Sequence, residues 1–219
     1  MNYINSYDTN VESAYIITLP GVEESEQLTQ QCAASCEAVG QPYKLWEGFN
    51  GRSGEVIVPE HLKGQAFINF LRLHTELMTP TQIACFYSHF SLWCMCVDID
   101  KPIVILEHDA MMEKPYLHHK FHNTIVYLGS SEQKFKNWEI ISIPPHATDQ
   151  NGLYRFICRA HAYAIDPFIA KNMIAYVIQQ GITTTLDVIL RSDIFSIVQD
   201  GLYAYDNNHG LSTIHKEWV

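Results

Sequence analysis

Hydrophobic positions along the chain fall into short, separable runs, and most runs carry a clear period. Residues 14–19 (AYIITL) are apolar and β-branched without alternation, the pattern of a buried strand. Pro20-Gly21 breaks the run. Leu28, Cys32, Cys36 and Val39 then recur at i, i+4, i+8 and i+11, which predicts a helix over 23–39 with Gly40 as its stop. Residues 43–49 read as a second strand, closed by Asn50-Gly51. A β-α-β opening favours a parallel sheet.

A further helix is placed over 59–73. Thr79-Pro80-Thr81-Gln82 then combines an N-cap, Pro at the first helical position and a capping-box Gln. From it Ile83, Phe86, Phe90, Trp93 and Val97 keep the 3–4 rhythm of a buried stripe to about residue 97. Residues 103–106 (IVIL) are the most strand-like run, as expected of a central parallel strand, and Glu107-His108-Asp109 comes directly after it. Residues 124–128, 140–143 and 156–165 are further strands. Asp166-Pro167 starts a helix to about Gln180, stopped by Gly181, and Thr184-x-x-Asp187 caps a last helix through about Val198. Residues 1–12 form a polar leader. The alternation of strands and helices over 13–219 predicts a single α/β domain.

Composition narrows the function classes. Of 219 residues 47% are hydrophobic and 17% charged, and the net charge is −10. An acidic chain with five arginines and no basic run is a poor partner for nucleic acid or an anionic membrane. No apolar run reaches the length of a transmembrane segment, and the N-terminus lacks the pattern of a signal peptide. The six cysteines lie mostly in apolar segments. They read as reduced and buried, which predicts a cytoplasmic protein.

Candidate chemistry centres on the acidic step after IVIL, because open α/β sheets collect ligands at the carboxyl ends of their strands. Glu107 and Asp109, two apart on extended backbone, project to one side and suit a divalent cation that bridges to a diphosphate. The alternative is an acidic turn in which Asp109 merely caps the next element. Ser88 and His89 fall largely off the apolar stripe of their helix. They either border the same crevice or bond locally. Arg155 and Arg159, four apart on a strand, are suited to clamping a phosphate or are surface charges. Asp187 is a helix-cap carboxylate or an available anion. His118, His119 and His122 offer an i, i+4 histidine pair on a helix for a metal hydrolase, or a solvated polar segment. The chain has no GxGxxG, GxxxxGK[ST] or GxSxG motif.

Taken together, Ala84-Cys85-Phe86-Tyr87-Ser88-His89, Leu92-Trp93 and Pro102-Ile103-Val104-Ile105-Leu106-Glu107-His108-Asp109-Ala110 resemble the core of glycosyltransferase family 25. That family includes lipooligosaccharide and collagen galactosyltransferases. Residues 15–19, 161–165 and 186–188 resemble its flanking segments, so the likeness spans roughly residues 14–199. The resemblance implies a GT-A-like (Rossmann-like), mostly parallel sheet flanked by helices. It also implies a nucleotide-sugar donor, commonly UDP-galactose, a divalent cation (Mn²⁺ or Mg²⁺) and transfer with inversion. The acceptor would be a hydroxyl of a glycan, a lipooligosaccharide or a protein. Carried over, Asp109 and Glu107 hold the metal and diphosphate. Ser88, His89 and His108 line the donor site with Arg155 and Arg159. Asp187 is a candidate for acceptor activation or for a second acidic contact. Two positions depart from the family: His108 stands where Asp is usual, and residues 21–26 lack the usual Arg. These departures motivate the alternative of a catalytically degenerate nucleotide-sugar or glycan-binding domain.

Overall fold

The computed structural model describes residues 9–64, 78–129, 140–142, 160–200 and 202–207. Among them, strands β2 (Ala14–Thr18), β3 (Tyr43–Glu47), β4 (Ile103–Glu107), β7 (Ile125–Tyr127), β8 (Ile140–Ser142), β9 (Ala162–Ile165) and β10 (Ile197–Asp200) form one seven-stranded sheet in the order β3-β2-β4-β9-β7-β10-β8. Two small pairings flank it: β1 (Thr9–Asn10) with β6 (His118–His119), and β5 (Ala110–Met112) with β11 (Ala204–Asp206). The helices are α1 (Glu23–Val39), α2 (Pro80–Ile99), α3 (Pro167–Gln180) and the short α4 (Leu186–Ile189).

Strand alternation sorts the core into two layers. Tyr15, Ile17, Ile103, Ile105, Tyr163 and Ile165 face a cluster that includes Phe86, Phe90 and Trp93 of α2 and Ile169 and Met173 of α3. Ala14, Ile16, Val104, Leu106, Ala162 and Ala164 face the other side, with Cys32 and Cys36 of α1. The sheet is therefore covered on both faces, which explains why β2 and β4 read as unbroken apolar runs.

The predicted N-terminal elements are present. Gly40 caps α1 in the left-handed conformation at φ 74°, where a Cβ is disfavoured. At the start of α2, Thr79 accepts the Gln82 N–H and Gln82 returns the bond to the Thr79 N–H, a complete capping box.

Three expectations change. The sheet is mixed rather than mostly parallel: β2 runs parallel to β3 and β4, and β7 to β10, but β9 is antiparallel to both β4 and β7, and β8 to β10. Burial on both faces gives the same residue pattern in either direction, so the runs carried no signal of it. The last helix ends at Ile189 rather than near Val198. The Arg191 guanidinium forks onto Asp193 and the Ile194 N–H closes a turn on the Arg191 carbonyl. Ile197 and Val198 then pair with Ile125 and Val126 as strand. The helix placed over 59–73 is only a 3₁₀ turn at Glu60–Leu62 within the described residues; residues 65–73 of it lie outside them. The early part of the strand placed over 156–165 also lies outside, and its described part is β9. Among the described residues, no helix is long and apolar enough to cross a membrane.

Candidate functional site

The alternation of β4 decides what its carboxyl end presents. Ile103 and Ile105 face α2, and Val104 and Leu106 face α1. Continued by one step each, Glu107 belongs to the α2 side and His108 to the α1 side. The hydrogen bonds agree. Glu107 Oε1 lies 3.2 Å from His89 Nε2 of α2, and His108 Nδ1 lies 3.2 Å from Ser25 Oγ of α1. The Glu107 N–H also donates to the His161 carbonyl at 2.8 Å, which ties the strand end to the start of β9.

The pleat does not set the relation of Glu107 to Asp109, contrary to the extended arrangement expected. β4 ends at Glu107, and the chain turns through His108 and Asp109 before β5. The turn is held from outside: the Asn207 N–H donates to the Asp109 carbonyl at 2.8 Å, and Asp206 pairs with Ala110 across β5 and β11.

Cys85 of α2 feels the charge of three acidic residues. Burial raises its thiol pKa well above the usual value, and the charges of Glu107, Asp187 and Asp109 raise it further. Of these, Glu107 is in contact, its Oε1 4.0 Å from the Cys85 Sγ. Burial also pushes Glu107 up to about 7, with the Asp206 charge adding to the effect.

Asp187 is tied to the start of β9 by a contact the cap pattern did not indicate. α4 begins one residue later than a Thr184 cap requires, with Thr185 as its N-cap and no side-chain capping bond. Asp187 Oδ1 instead accepts the N–H of Ala160 at 3.3 Å, next to the His161 that holds Glu107.

Ser88 and His89 are each only 1% exposed, so neither meets solvent; Ser88 bonds locally, as one of the two readings had it, and His89 reaches the strand end from inside. α2 is covered by the sheet, by α3 and by the segment after β3, so its polar residues find partners inside. Ser88 Oγ accepts the Phe49 N–H at 2.8 Å and donates to the Ala84 carbonyl at 2.8 Å. The approach depends on Gly48, where a Cβ would come within 2.9 Å of Ser88 Oγ. His89 Nδ1 lies 2.9 Å from Tyr163 Oη, which accepts from Trp93 Nε1 at 3.0 Å. Burial pushes the His89 pKa down to about 3, so the ring is neutral.

On the α1 side, Arg52 crosses from the loop after β3 to bond Glu24 at 3.1 Å. With Gly21, Val22, Glu23, Glu24 and Gln27 it lines an open cleft beside the end of β2. Burial pushes His108 down to about 4, and the Arg52 charge acts in the same direction.

The histidine group at 118–122 is not helical. His118 and His119 form strand β6, where neighbours point to opposite faces; His118 is exposed and His119 fully buried. His122 packs on the Phe168 ring, with centroids 4.3 Å apart. The i, i+4 histidine pair is therefore not formed. Among the described residues, the group with metal-ligand atoms drawn together is Cys85, His89 and Glu107, all within 4.8 Å of one another. Arg155 and Arg159 lie outside the described residues. The free cysteines Cys32, Cys36 and Cys96 are buried, and Cys85 and Cys94 half-buried.

Sequence reasoning did not single out Arg52, Asp206 or Tyr163 as site residues. Only Tyr163 carried a usable signal, through the family-like segment at 161–165. Arg52 and Asp206 arrive by loop and edge-strand contacts that leave no period in the chain.

A search of curated proteins found no match. Residues 12–190 match the family model described as "Glycosyltransferase family 25 (LPS biosynthesis protein)". That match covers most of the chain, including Glu107, Asp109 and Asp187, and so the chain belongs to glycosyltransferase family 25.

Proposed function

We propose that the chain transfers a sugar, galactose in the first instance, from a nucleoside-diphosphate donor to an acceptor hydroxyl. In this reading it is a metal-dependent, inverting enzyme with a GT-A-like arrangement. The observation that carries the reading is the placement of Glu107 at the carboxyl end of β4, with Asp109 in the turn that follows and Asp187 bonded to the Ala160 N–H beside the His161 that holds Glu107. Family membership supports the transferase class, and the printed family description supports a lipopolysaccharide-type glycan as acceptor.

Glu107 and Asp109 are the residues that would hold a divalent cation, Mn²⁺ or Mg²⁺. The donor set fits one: carboxylate oxygens suit hard cations, and Glu107 ends β4 directly before the turn that carries Asp109. When bound, such a cation neutralises the charge that develops on a leaving diphosphate. Asp187 is the candidate to take the acceptor's proton. Arg52 provides a guanidinium beside residues 21–26, which lack their own arginine, and it is suited to the donor's phosphates.

The histidine at position 108 does not remove a member of the carboxylate group. His108 turns to Ser25 on the α1 side, whereas Glu107 faces α2. This supports turnover over a degenerate binding domain. The test is a screen of UDP- and GDP-sugars for metal-dependent thermal stabilisation, followed by sugar transfer with the best donor. Stabilisation that needs Mn²⁺ or Mg²⁺, accompanied by transfer, is the expected result. Metal-dependent binding without transfer from any donor would replace it with the binding-domain reading.

A further inference from the structure

His89 stands between two partners in a nearly closed environment, and proton accounting there has one satisfactory solution. Trp93 and Tyr163 are fully buried and His89 is 1% exposed. The Trp93 indole N–H is a donor only, so Tyr163 Oη accepts at 3.0 Å. The Tyr163 hydroxyl proton then has an acceptor in His89 Nδ1 at 2.9 Å. With Nδ1 accepting, a neutral His89 carries its proton on Nε2, and that N–H meets Glu107 Oε1 at 3.2 Å.

The opposite assignment fails at Tyr163. If His89 Nδ1 carried the proton, Tyr163 Oη would accept twice, and its own buried O–H would lose the His89 acceptor. An unsatisfied buried donor of this kind is costly.

We propose that Trp93, Tyr163 and His89 form a one-directional hydrogen-bond relay that fixes His89 as the Nε2–H tautomer and holds one oxygen of Glu107 in place. His89 is then a positioning residue acting through Glu107. It is not a metal ligand, because the nitrogen that faces Cys85 and Glu107 bears a proton. The functional consequence rests on the proposed role of Glu107 in donor binding, whereas the tautomer does not depend on it.

The direct experiment is long-range ¹H–¹⁵N correlation on the full chain labelled with ¹⁵N-histidine, with the His89 signals assigned by their loss in His89→Gln. A protonated Nε2 and an unprotonated Nδ1 are expected. A protonated Nδ1 would overturn the relay and return Nε2 to the candidate metal group with Cys85 and Glu107. The second arm is kinetic. Tyr163→Phe keeps the ring but removes the hydroxyl, and is expected to lower kcat about 10- to 100-fold, the usual effect of losing a residue that orients a site carboxylate. His89→Gln, which keeps an N–H donor, is expected to retain more activity than His89→Ala. Equal loss in the two His89 variants would overturn the positioning role. Because the tautomer is read without substrate, it decides the relay even where no transfer is detected and the proposed function has failed.

Discussion

Asp187 Oδ1 accepts the backbone N–H of Ala160 at 3.3 Å. The next residue, His161, accepts the N–H of Glu107 through its carbonyl at 2.8 Å. One short stretch of backbone thus anchors two of the proposed site carboxylates, one from a short helix and one from a central strand. Asp187→Asn keeps the acceptor oxygen and removes the charge, so its unfolding midpoint should stay close to wild type while transfer falls about 100-fold or more, as for loss of a general base. Asp187→Ala removes both and should also lose about 1–2 kcal/mol in urea unfolding. Wild-type transfer rates in Asp187→Asn would remove Asp187 as the base.

Ser88 provides a contrasting case. Its hydroxyl accepts a buried N–H from Phe49, and both residues lie in the core. Ser88→Ala should cost about 1–3 kcal/mol, the range for a buried donor left without an acceptor. Denaturant unfolding measures the loss. Donor KM should be unchanged at a temperature where the variant is folded, and a raised KM would indicate direct donor contact.

His119 makes stability depend on pH. It is fully buried, and burial pushes its pKa down to about 4, against opposing effects of the Asp166 charge and the Phe121 backbone. The unfolded chain takes up its proton at about pH 6.5, and the folded chain does so only near the lowered value. The contribution is therefore complete above about pH 6.5 and lost as pH falls toward the folded-state value. By about pH 5 the loss is about 2 kcal/mol. Urea midpoints compared at neutral and mildly acidic pH should show a smaller difference in His119→Gln than in wild type; an equal difference would contradict the assignment.

The capping box of α2 allows a local test. Thr79→Ala removes the side chain that accepts the Gln82 N–H and should lower stability by about 1 kcal/mol. Thermal or urea unfolding checks it, and no change would mean that the box contributes nothing to the fold.

Elements that bury a one-sided stripe or carry capping residues were legible in the chain. α1, α2, α3 and the buried runs of β2 and β4 arise from local pattern alone. Strand direction was not legible, because Ala162–Ile165 is buried on both faces and reads the same in either orientation. The segment after Leu186 misled for a related reason. Leu186, Ile189, Leu190 and Ile194 keep a helical rhythm, yet the Arg191–Asp193 pairing and the sheet contacts of Ile197 decide otherwise. The acidic step at 107–109 was visible, as was the block around Ser88 and His89. The role of that block inside the protein was not, because the partners Tyr163 and Phe49 lie far away in sequence.

Everything proposed for the site turns on Glu107 and Asp109 serving a metal-assisted sugar transfer. The most direct measurement of that role is the rate of sugar transfer from a nucleotide sugar with Mn²⁺, compared among wild type, Glu107→Gln and Asp109→Asn, each checked for folding by circular dichroism. Expected are wild-type turnover that disappears with a chelator and returns with added metal, and a fall of about 100-fold or more in both folded variants. Full activity in Asp109→Asn and Glu107→Gln, or wild-type turnover indifferent to the chelator, would contradict that role.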